Sequence, residues 1–330
     1  MISGKDAREL PWQGPIAITV GVFDGVHRGH QAVLAQLRAV APAGRALAVT
    51  LDPHPLAVLR PEFAPPLLTT AEERVRLLRE IGPSPDAVIV RAFDRATAAS
   101  APTEFLAGLL PPGTTLASLV IGYDFRMGKD RTGGYEELRA IGAQEGFEVL
   151  RVPPTLDGDA PISSSRIRER IEAGDVAEAG RLLGHPYLVV GQVVPGRGVG
   201  RTLDFPTANV DVGKNGKLLP ALGVYAVRVR ILPDPERRPA VVNWGVRPTF
   251  GAGEPVLEVH IPGFRGDLTG RELALEVVDR IREERAFPDR QALVERIRRD
   301  VAEALERLQD AGEAPGKALP GSGRSDRLPG

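Results

Sequence analysis

The stretch AITVGVFDGVHRGH, residues 17–30, decides the fold of the first half of the chain. Its pattern predicts a buried strand, Ala17–Val22, then a glycine-rich turn, then an amphipathic helix over His30–Val40. Glycines in such a turn let backbone N–H groups approach a ligand, and the helix start adds free donors with a partial positive charge. We expect His27 and His30 to face that point. The stretch therefore predicts a phosphate-handling site at the end of a buried strand.

The same alternation of short apolar runs and helical periodicity continues to about Leu183. Further buried strands are predicted at Ala46–Leu51, Ala87–Val90, Leu119–Ile121 and Phe147–Val152. Further helices are predicted at Ala71–Ile81, Thr103–Leu110 and Gly134–Glu145. Strand–helix alternation of this kind indicates a parallel sheet covered on both faces, with ligands beyond the carboxyl ends of the strands.

The pattern of apolar residues changes after Pro186, where strand-like runs are separated by Gly/Pro-rich turns. Strands are predicted at Tyr187–Val194, Gly223–Ile231, Ala240–Trp244, Val256–Ile261 and Glu272–Ile281, and one long helix at Arg290–Gln309. This pattern indicates a small antiparallel barrel closed by a C-terminal helix. We therefore expect one domain over residues 1–184, a second over 185–309, and a flexible tail over 310–330.

Composition narrows the class of protein. The chain has 330 residues, a formal net charge of -1 and no cysteine. These values argue against a disulfide framework, a thiolate zinc site and a basic surface for nucleic acid or membranes. Neither a signal peptide nor a long apolar run is evident. We expect a cytoplasmic monomer or weak homo-oligomer with small-molecule partners.

Three interpretations of His27 and His30 follow from the residues alone. They can donate hydrogen bonds to phosphate oxygens as negative charge builds in a transition state. With His54 as a third ligand they can bind a metal, although no carboxylate or thiolate spacing completes such a site. They can also be purely structural. Of the three, phosphate handling is favoured.

The first half resembles the nucleotidylyltransferases. GVFDGVHRGH (residues 21–30) is similar to the HxGH signature in the FMN adenylyltransferase module of bacterial bifunctional riboflavin kinase/FAD synthetases. TLDPHP (50–55), IGYDFRMG (121–128) and ISSSRIR (162–168) match the same family. The resemblance implies that the FMN phosphate attacks the α-phosphorus of ATP, with His27 and His30 steadying the phosphates. It implies ATP contacts at Gly21, Phe23, Asp24, Gly29, Asp124, Ser163, Ser164, Ser165 and Arg168.

From the residues themselves, the three serines also suit a helix cap. Arg166 and Arg168, just inside that helix, are expected to offer guanidinium forks to a triphosphate.

A second motif, GRGVGRTLDFPTAN (196–209), begins as a glycine-rich loop without a following helix, which disfavours a dinucleotide-binding turn. In an extended backbone Thr207 and Asn209 project the same way, and their oxygens suit Mg2+ beside phosphates. An ordinary Pro-Thr turn is the alternative.

The PTAN segment resembles that of riboflavin kinases, as do GVYAV (223–227), NWGVRPTF (243–250), EVH (258–260) and GDLTG (266–270). The resemblance implies ATP contacts at Gly198, Gly200, Arg201, Pro206, Thr207 and Asn209. It implies that Thr207 and Asn209 hold Mg2+, that Glu258 is the catalytic base, and that Arg282 lies on the flavin side.

Together the resemblances imply a Rossmann-like nucleotidylyltransferase sheet domain followed by a riboflavin kinase β-barrel. The activities implied are ATP-dependent phosphorylation of riboflavin to FMN and adenylylation of FMN to FAD. Asp204 stands where the kinases usually have glycine, Thr269 where tyrosine is usual, and Trp244 where a smaller aliphatic residue is common. Two other functions stay open: an adenylyltransferase whose barrel has lost activity, and a flavin-binding module without catalysis.

Overall fold

In a computed structural model, the first half of the chain forms a six-stranded sheet in which every neighbouring pair is parallel. The structure describes residues 2–4, 7–127, 133–196, 205–213, 215–246 and 255–312. The sheet strands are β1 (Ile2–Gly4), β2 (Gly14–Gly21), β3 (Ala46–Asp52), β4 (Ala87–Ala92), β5 (Thr114–Gly122) and β6 (Glu148–Val152).

The strand order β1-β4-β3-β2-β5-β6 fixes where a ligand can bind. From β2 the chain builds outward through β3 and β4 on one side, then returns to add β5 and β6 on the other. The order therefore reverses between β2 and β5, and the crevice at their carboxyl ends is the usual ligand site of such sheets. Gly21 and Gly122 end these two strands, so the residues after them meet in that crevice.

Helices cover both faces of the sheet and join it to the barrel. They are α1 (Arg28–Val40), α2 (Pro55–Leu59), α3 (Ala71–Glu80), α4 (Arg95–Ala99), α5 (Pro102–Ala107), α6 (Tyr135–Glu145), α7 (Ser164–Glu172) and α8 (Val176–Leu183). A small hairpin, β7 (Leu156–Asp157) and β8 (Ala160–Pro161), precedes α7. Buried apolar residues lie on both sides of the sheet, as a parallel sheet requires. We call these elements the sheet domain.

The second half closes into a six-stranded antiparallel barrel in the order β10-β13-β12-β11-β14-β9. Its strands are β9 (Tyr187–Val194), β10 (Ala208–Asp211), β11 (Gly223–Ile231), β12 (Arg238–Val246), β13 (Pro255–His260) and β14 (Glu272–Glu283). The last helix, α9 (Arg290–Asp310), packs Ala304 and Leu308 on the outer face of the barrel. We call this part the barrel domain. The predicted fold class is confirmed.

The differences from the predicted elements lie mainly in short or solvent-edge segments. Strand β5 begins five residues before the predicted Leu119. The sequence did not indicate these residues as strand because the first of them are only partly buried and form no continuous apolar run. Helices α2 and α4 have five residues each, too few for a helical period to emerge. The predicted tail begins at 310, yet Asp310 still belongs to α9; residues 313–330 lie outside the described part of the chain. Among described residues, no helix is both long and apolar enough to cross a bilayer.

Candidate active sites

All residues predicted for adenylyl transfer line one cavity of about 570 Å³ at the carboxyl ends of β2 and β5. The cavity walls comprise Gly21, Phe23, Asp24, His27, Gly29, His30, Asp124, Ser163, Ser164, Ser165 and Arg168, together with His54 and neighbouring residues. The N-termini of α1 and α7 both open onto it, so the first N–H groups of two helices and two partial positive charges face the same volume. This arrangement suits a polyanion.

The turn after β2 is held in an unusual backbone conformation. Phe23 and Val26 have φ values of 52° and 44°, a left-handed region that side-chain-bearing residues seldom adopt. Gly25 between them also has positive φ, and a Cβ there would lie 2.9 Å from the Leu68 side chain. Such strain persists only where surrounding contacts fix it, and it clusters at functional sites.

Asp24 supplies those contacts. Its Oδ1 accepts hydrogen bonds from the backbone N–H and the hydroxyl of Thr69, at 2.8 and 2.9 Å. Its Oδ2 accepts from the backbone N–H of Leu68 at 3.1 Å and from Nη2 of Arg168 at 2.7 Å. Ser164 donates its hydroxyl to the Asp24 carbonyl at 2.9 Å. The carboxylate is thus 3% exposed and fully engaged in shaping the turn.

His27 and His30 stack at the start of α1, with ring centroids 3.6 Å apart and planes 18° from parallel. His27 caps the helix: its Nδ1 accepts the backbone N–H of His30 at 3.4 Å. In the neutral ring the proton then resides on Nε2, which becomes a donor. Gly29 permits this packing, since a Cβ there would lie 3.0 Å from the His27 ring.

Burial keeps both imidazoles neutral. It lowers the pKa of His27 from 6.5 to about 4, against a smaller opposing effect of Asp24. Burial, and then the neighbouring His27, lowers the pKa of His30 well below 6.5. Two charged rings in stacking contact would also repel each other. The pair therefore offers neutral hydrogen-bond donors rather than fixed cations.

We expect acid to destabilise the protein through these groups. The unfolded chain protonates His27 near pH 6.5, whereas the folded chain resists until about pH 4. The contribution of neutral His27 to the free energy of unfolding is therefore fully present above pH 6.5. It is lost as the pH falls toward 4 and amounts to roughly 3 kcal/mol. The pKa of His185 is lowered by burial as well and acts in the same direction. Thermal unfolding measured between pH 8 and pH 4 checks this.

A matched variant isolates the contribution of His27. His27→Asn retains an N-cap acceptor but cannot be protonated, so its Tm should fall less steeply with acid than that of the wild type. Parallel slopes for the two proteins would contradict the assignment.

His54 and Arg166 are placed differently from the other candidates. His54 lines the cavity, but its Nδ1 accepts the Leu56 N–H at the start of α2. Among described residues, no group of three or more His, Asp or Glu side chains is arranged to hold a metal, so the three-histidine alternative finds no support. Arg166 donates to Asp157 at 2.9 Å in the β7–β8 hairpin. Two residues apart on a helix lie on nearly opposite faces, so only Arg168 reaches the cavity.

The barrel domain brings several of its predicted residues together on one outer face. In strand β13, Leu257 and Val259 pack into the barrel core, which places Glu258 between them on the outside. Glu258 is the register partner of Asn209 on β10 and of Asn243 on β12. A polar row therefore crosses three strands.

The same row continues toward Arg282. Asn243 pairs with Val224 on β11, and Val224 pairs with Arg282 on β14. Val224 packs against α9, and Arg282 donates to both carboxylate oxygens of Asp300 on that helix, at 2.8–3.0 Å. The C-terminal helix thus fixes the guanidinium at one end of the row.

Pro206, Thr207 and Asn209 line a second cavity, of about 400 Å³, together with residues 193–196 and the loop 264–269. Asn209 lies against Gly196: a Cβ on Gly196 would be 1.6 Å from the Asn209 amide nitrogen. Glu258 is not part of this wall but adjoins it through Asn209. Gly198, Gly200, Arg201 and Asp204 lie outside the described residues.

Mg2+ fits the donor set of Thr207 and Asn209. Two neutral oxygens are too few to coordinate a divalent cation without further ligands. They suit an ion that keeps water and is shared with substrate phosphates, which is how Mg2+ binds in phosphoryl-transfer sites. The Glu258 carboxylate beside Asn209 adds negative charge to the same region.

Several functional contacts could not be predicted from the sequence. Thr69 and Leu68 bind Asp24 from 44 or 45 residues away, and no local pattern marks them. Asn243 joins the barrel row only through strand register. In the sequence, the only indication that Asn243 belongs to the site was its position inside NWGV.

The comparisons with known proteins cover both domains. The FAD synthetase family model matches residues 11–166, and the riboflavin kinase family model matches residues 183–308. A protein of Escherichia coli K12, named bifunctional riboflavin kinase/FMN adenylyltransferase, is 36% identical over 303 residues, which is 90% of this chain and 94% of that protein. A Pseudomonas fluorescens protein of the same name is 39% identical, covering 87% and 91% of the two chains.

A solved structure has the same fold. A protein from Streptococcus pneumoniae, described as a macrolide-efflux protein, is 30% identical with a TM-score of 0.76, covering 92% of this chain and 98% of its own.

Proposed function

The chain belongs to the family of bifunctional riboflavin kinase/FMN adenylyltransferases, and from that premise we propose that it carries out both reactions. Riboflavin and ATP give FMN and ADP in the barrel domain. FMN and ATP then give FAD and pyrophosphate in the sheet domain. We assign residues 1–184 to the adenylyltransferase, residues 185–309 to the kinase, and residues 310–330 to a tail. The two matched family models support this division.

Adenylyl transfer needs little covalent chemistry from the protein. A phosphate oxygen of FMN attacks the α-phosphorus of ATP, and the bond to the β-phosphate oxygen breaks as pyrophosphate leaves. Negative charge is spread over phosphate oxygens throughout. The His27 and His30 donors, Arg168 and the N-termini of α1 and α7 surround the cavity that holds those oxygens. Fixed donors of this kind stabilise the transition state without reorganising.

Phosphorylation of riboflavin needs a base. We assign Glu258 to accept the proton of the terminal ribityl hydroxyl while that oxygen attacks the γ-phosphorus and ADP leaves. Thr207 and Asn209 would hold Mg2+, which neutralises charge on the phosphates when bound. The assignment is supported by the register pairing of Glu258 on β13 with Asn209 on the adjacent strand β10. Arg282, held by Asp300, is assigned to the flavin side.

We further propose that the enzyme works in the cytoplasm, as a monomer or weak homo-oligomer. Its partners would be ATP and flavins, with neither nucleic acid nor membrane required. The near-zero formal charge and the absence of cysteine support this assignment.

The observation that carries the proposal is the convergence of the adenylyl-transfer candidates on one anion-suited cavity. In the separate barrel, the carboxylate residue Glu258 is the register partner of Asn209. Chromatography of products tests it, with the purified protein incubated with ATP and Mg2+ and either riboflavin or FMN. FMN and FAD from riboflavin are expected. FAD from FMN but no product from riboflavin would mean an inactive barrel, and Asp204→Gly would then be tested first.

We expect Gly196→Ala to impair the kinase selectively. The new methyl group would occupy the place of the Asn209 amide, so the assigned metal ligand must move while the barrel core stays intact. The kcat/KM for riboflavin should fall by about tenfold or more, with little change in Tm. As a control, Gly180→Ala on α8 places its methyl 3.6 Å from the nearest atom, an ordinary contact. Equal activity of Gly196→Ala and wild type would contradict the role of Asn209.

A further inference from the structure

A short segment, residues 66–69, lies between the adenylyltransferase cavity and the barrel. It belongs to the sheet domain, and Leu68 and Thr69 are buried. One edge of the segment is hydrogen-bonded to the sheet domain and the other to the barrel domain. Through this segment, the barrel domain can therefore position residues of the sheet domain.

The first edge binds the cavity wall. Asp24 accepts the N–H groups of Leu68 and Thr69, and the Thr69 hydroxyl also accepts the N–H of Gly25 at 3.0 Å. Arg168 links the Pro66 carbonyl, at 2.7 Å from its Nε, to the Asp24 carboxylate. The strained turn that leads into His27 therefore takes its position from this segment.

The second edge binds the barrel domain. Leu67 donates its N–H to the Gly216 carbonyl at 2.8 Å, and its carbonyl accepts the N–H of Leu218 at 2.7 Å. Between these two bonds lies Lys217, whose side chain is 2% exposed. Its ammonium group donates to the Leu68 carbonyl at 2.6 Å.

The other two donors of Lys217 are also used. They bind the Leu188 carbonyl at 2.6 Å and Oε2 of Glu73 at 2.8 Å, and the ammonium lies 4.3 Å from the Tyr187 ring centroid. An ammonium has three N–H donors, so every one has an acceptor. Glu73 is equally fixed, since it also accepts the N–H groups of Thr70 and Val190.

We propose that Lys217, a residue of the barrel domain, is a positioning residue for adenylyl transfer in the sheet domain. It holds the backbone of residues 66–69, which holds Asp24 and with it the turn that presents His27 and His30. The inference rests on the proposed function of the sheet domain. It adds that the adenylyltransferase site is complete only when the barrel supplies this lysine.

The proposal makes an asymmetric prediction for Lys217→Met. The barrel carries the lysine, so a merely structural defect would lower riboflavin phosphorylation first. A positioning role predicts the reverse: kcat for FAD formation from FMN falls by about tenfold or more, while kcat and KM for riboflavin phosphorylation are preserved. Both reactions are measured on one preparation of the full chain. Lys217→Gln, which keeps part of the hydrogen bonding, should lose less FAD formation, and serves as the test variant if the methionine variant is insoluble.

Arg230→Met is the matched control. Arg230 is also a basic barrel residue bound across the domain interface, to Glu80 of α3 at 2.9 Å, and it lies 3.7 Å from Glu276 of its own domain. FAD formation should survive this change. Unchanged FAD formation in the Lys217 variants, or a proportional fall of both activities, would overturn the inference. Absence of FAD formation in the wild type would instead overturn the proposed function.

Discussion

His30→Ala should abolish conversion of FMN to FAD while leaving phosphorylation of riboflavin unchanged. The substitution removes an imidazole that stacks on His27 and contacts Phe23 edge-on, at a centroid distance of 5.3 Å. It thereby removes the His30 donor and takes away the ring that packs against the His27 donor. Loss of a positioned donor to a developing anion costs about 100- to 1000-fold. The measurement is the rate of each step in one preparation, started separately from FMN and from riboflavin.

The intact kinase step serves as the internal control for folding. His30→Gln adds a second comparison, because its amide retains an N–H donor and should keep part of the activity if hydrogen bonding is the role. If the role of His30 were purely structural, the rate of FAD formation would fall in proportion to Tm across the variants. FAD synthesis at the wild-type rate in His30→Ala would remove the catalytic assignment.

Glu258→Gln should produce the opposite selectivity. The amide keeps the shape of the side chain and its place in the row between Asn209 and Asn243, but it cannot accept the ribityl proton. Removal of a general base lowers rates by about 100- to 10,000-fold. FMN formation should fall by that factor, whereas FMN supplied directly should still be converted to FAD. Product chromatography with each starting flavin measures both.

Glu283→Gln is the matched control on the same domain. Glu283 ends strand β14 with its side chain 86% exposed, so the same loss of charge there should leave both steps unchanged. If Glu258→Gln lowered both steps equally, or lowered neither, its role as base would be contradicted.

The sequence predicted the fold well where structure is local. The strand–helix alternation of residues 17–183 and the barrel strands Tyr187–Val194 and Gly223–Ile231 match the observed elements. The two motifs that line the cavities could also be recognised in the sequence, because each is a contiguous segment whose turn chemistry and polar spacing are visible in the chain. Convergence of the separate segments on one cavity then follows from the parallel topology, which brings the carboxyl ends of β2 and β5 together.

What the sequence could not predict depends on distant contacts. Nothing near Lys217 indicates that a lysine in a loop between strands is buried against Glu73, 144 residues away. Asp24 was predicted as an ATP contact, and it lines the cavity; the hydrogen bonds of its carboxylate with Thr69, Leu68 and Arg168 could not be predicted. Likewise, both arginines belong to α7, but Arg168 lines the cavity whereas Arg166 donates to Asp157 of the β7–β8 hairpin.

The central claim is that one chain performs two transfers from different phosphorus atoms of ATP, and labelled ATP tests it most directly. The wild-type protein is incubated with riboflavin, Mg2+ and ATP labelled at the α- and γ-phosphates with distinguishable isotopes, and the purified flavins are counted. FMN should carry only the γ label. FAD should carry one γ and one α label, because the kinase supplies its first phosphate and adenylyl transfer its second. FAD lacking the γ label, or riboflavin recovered without any labelled FMN or FAD being formed, would contradict the account.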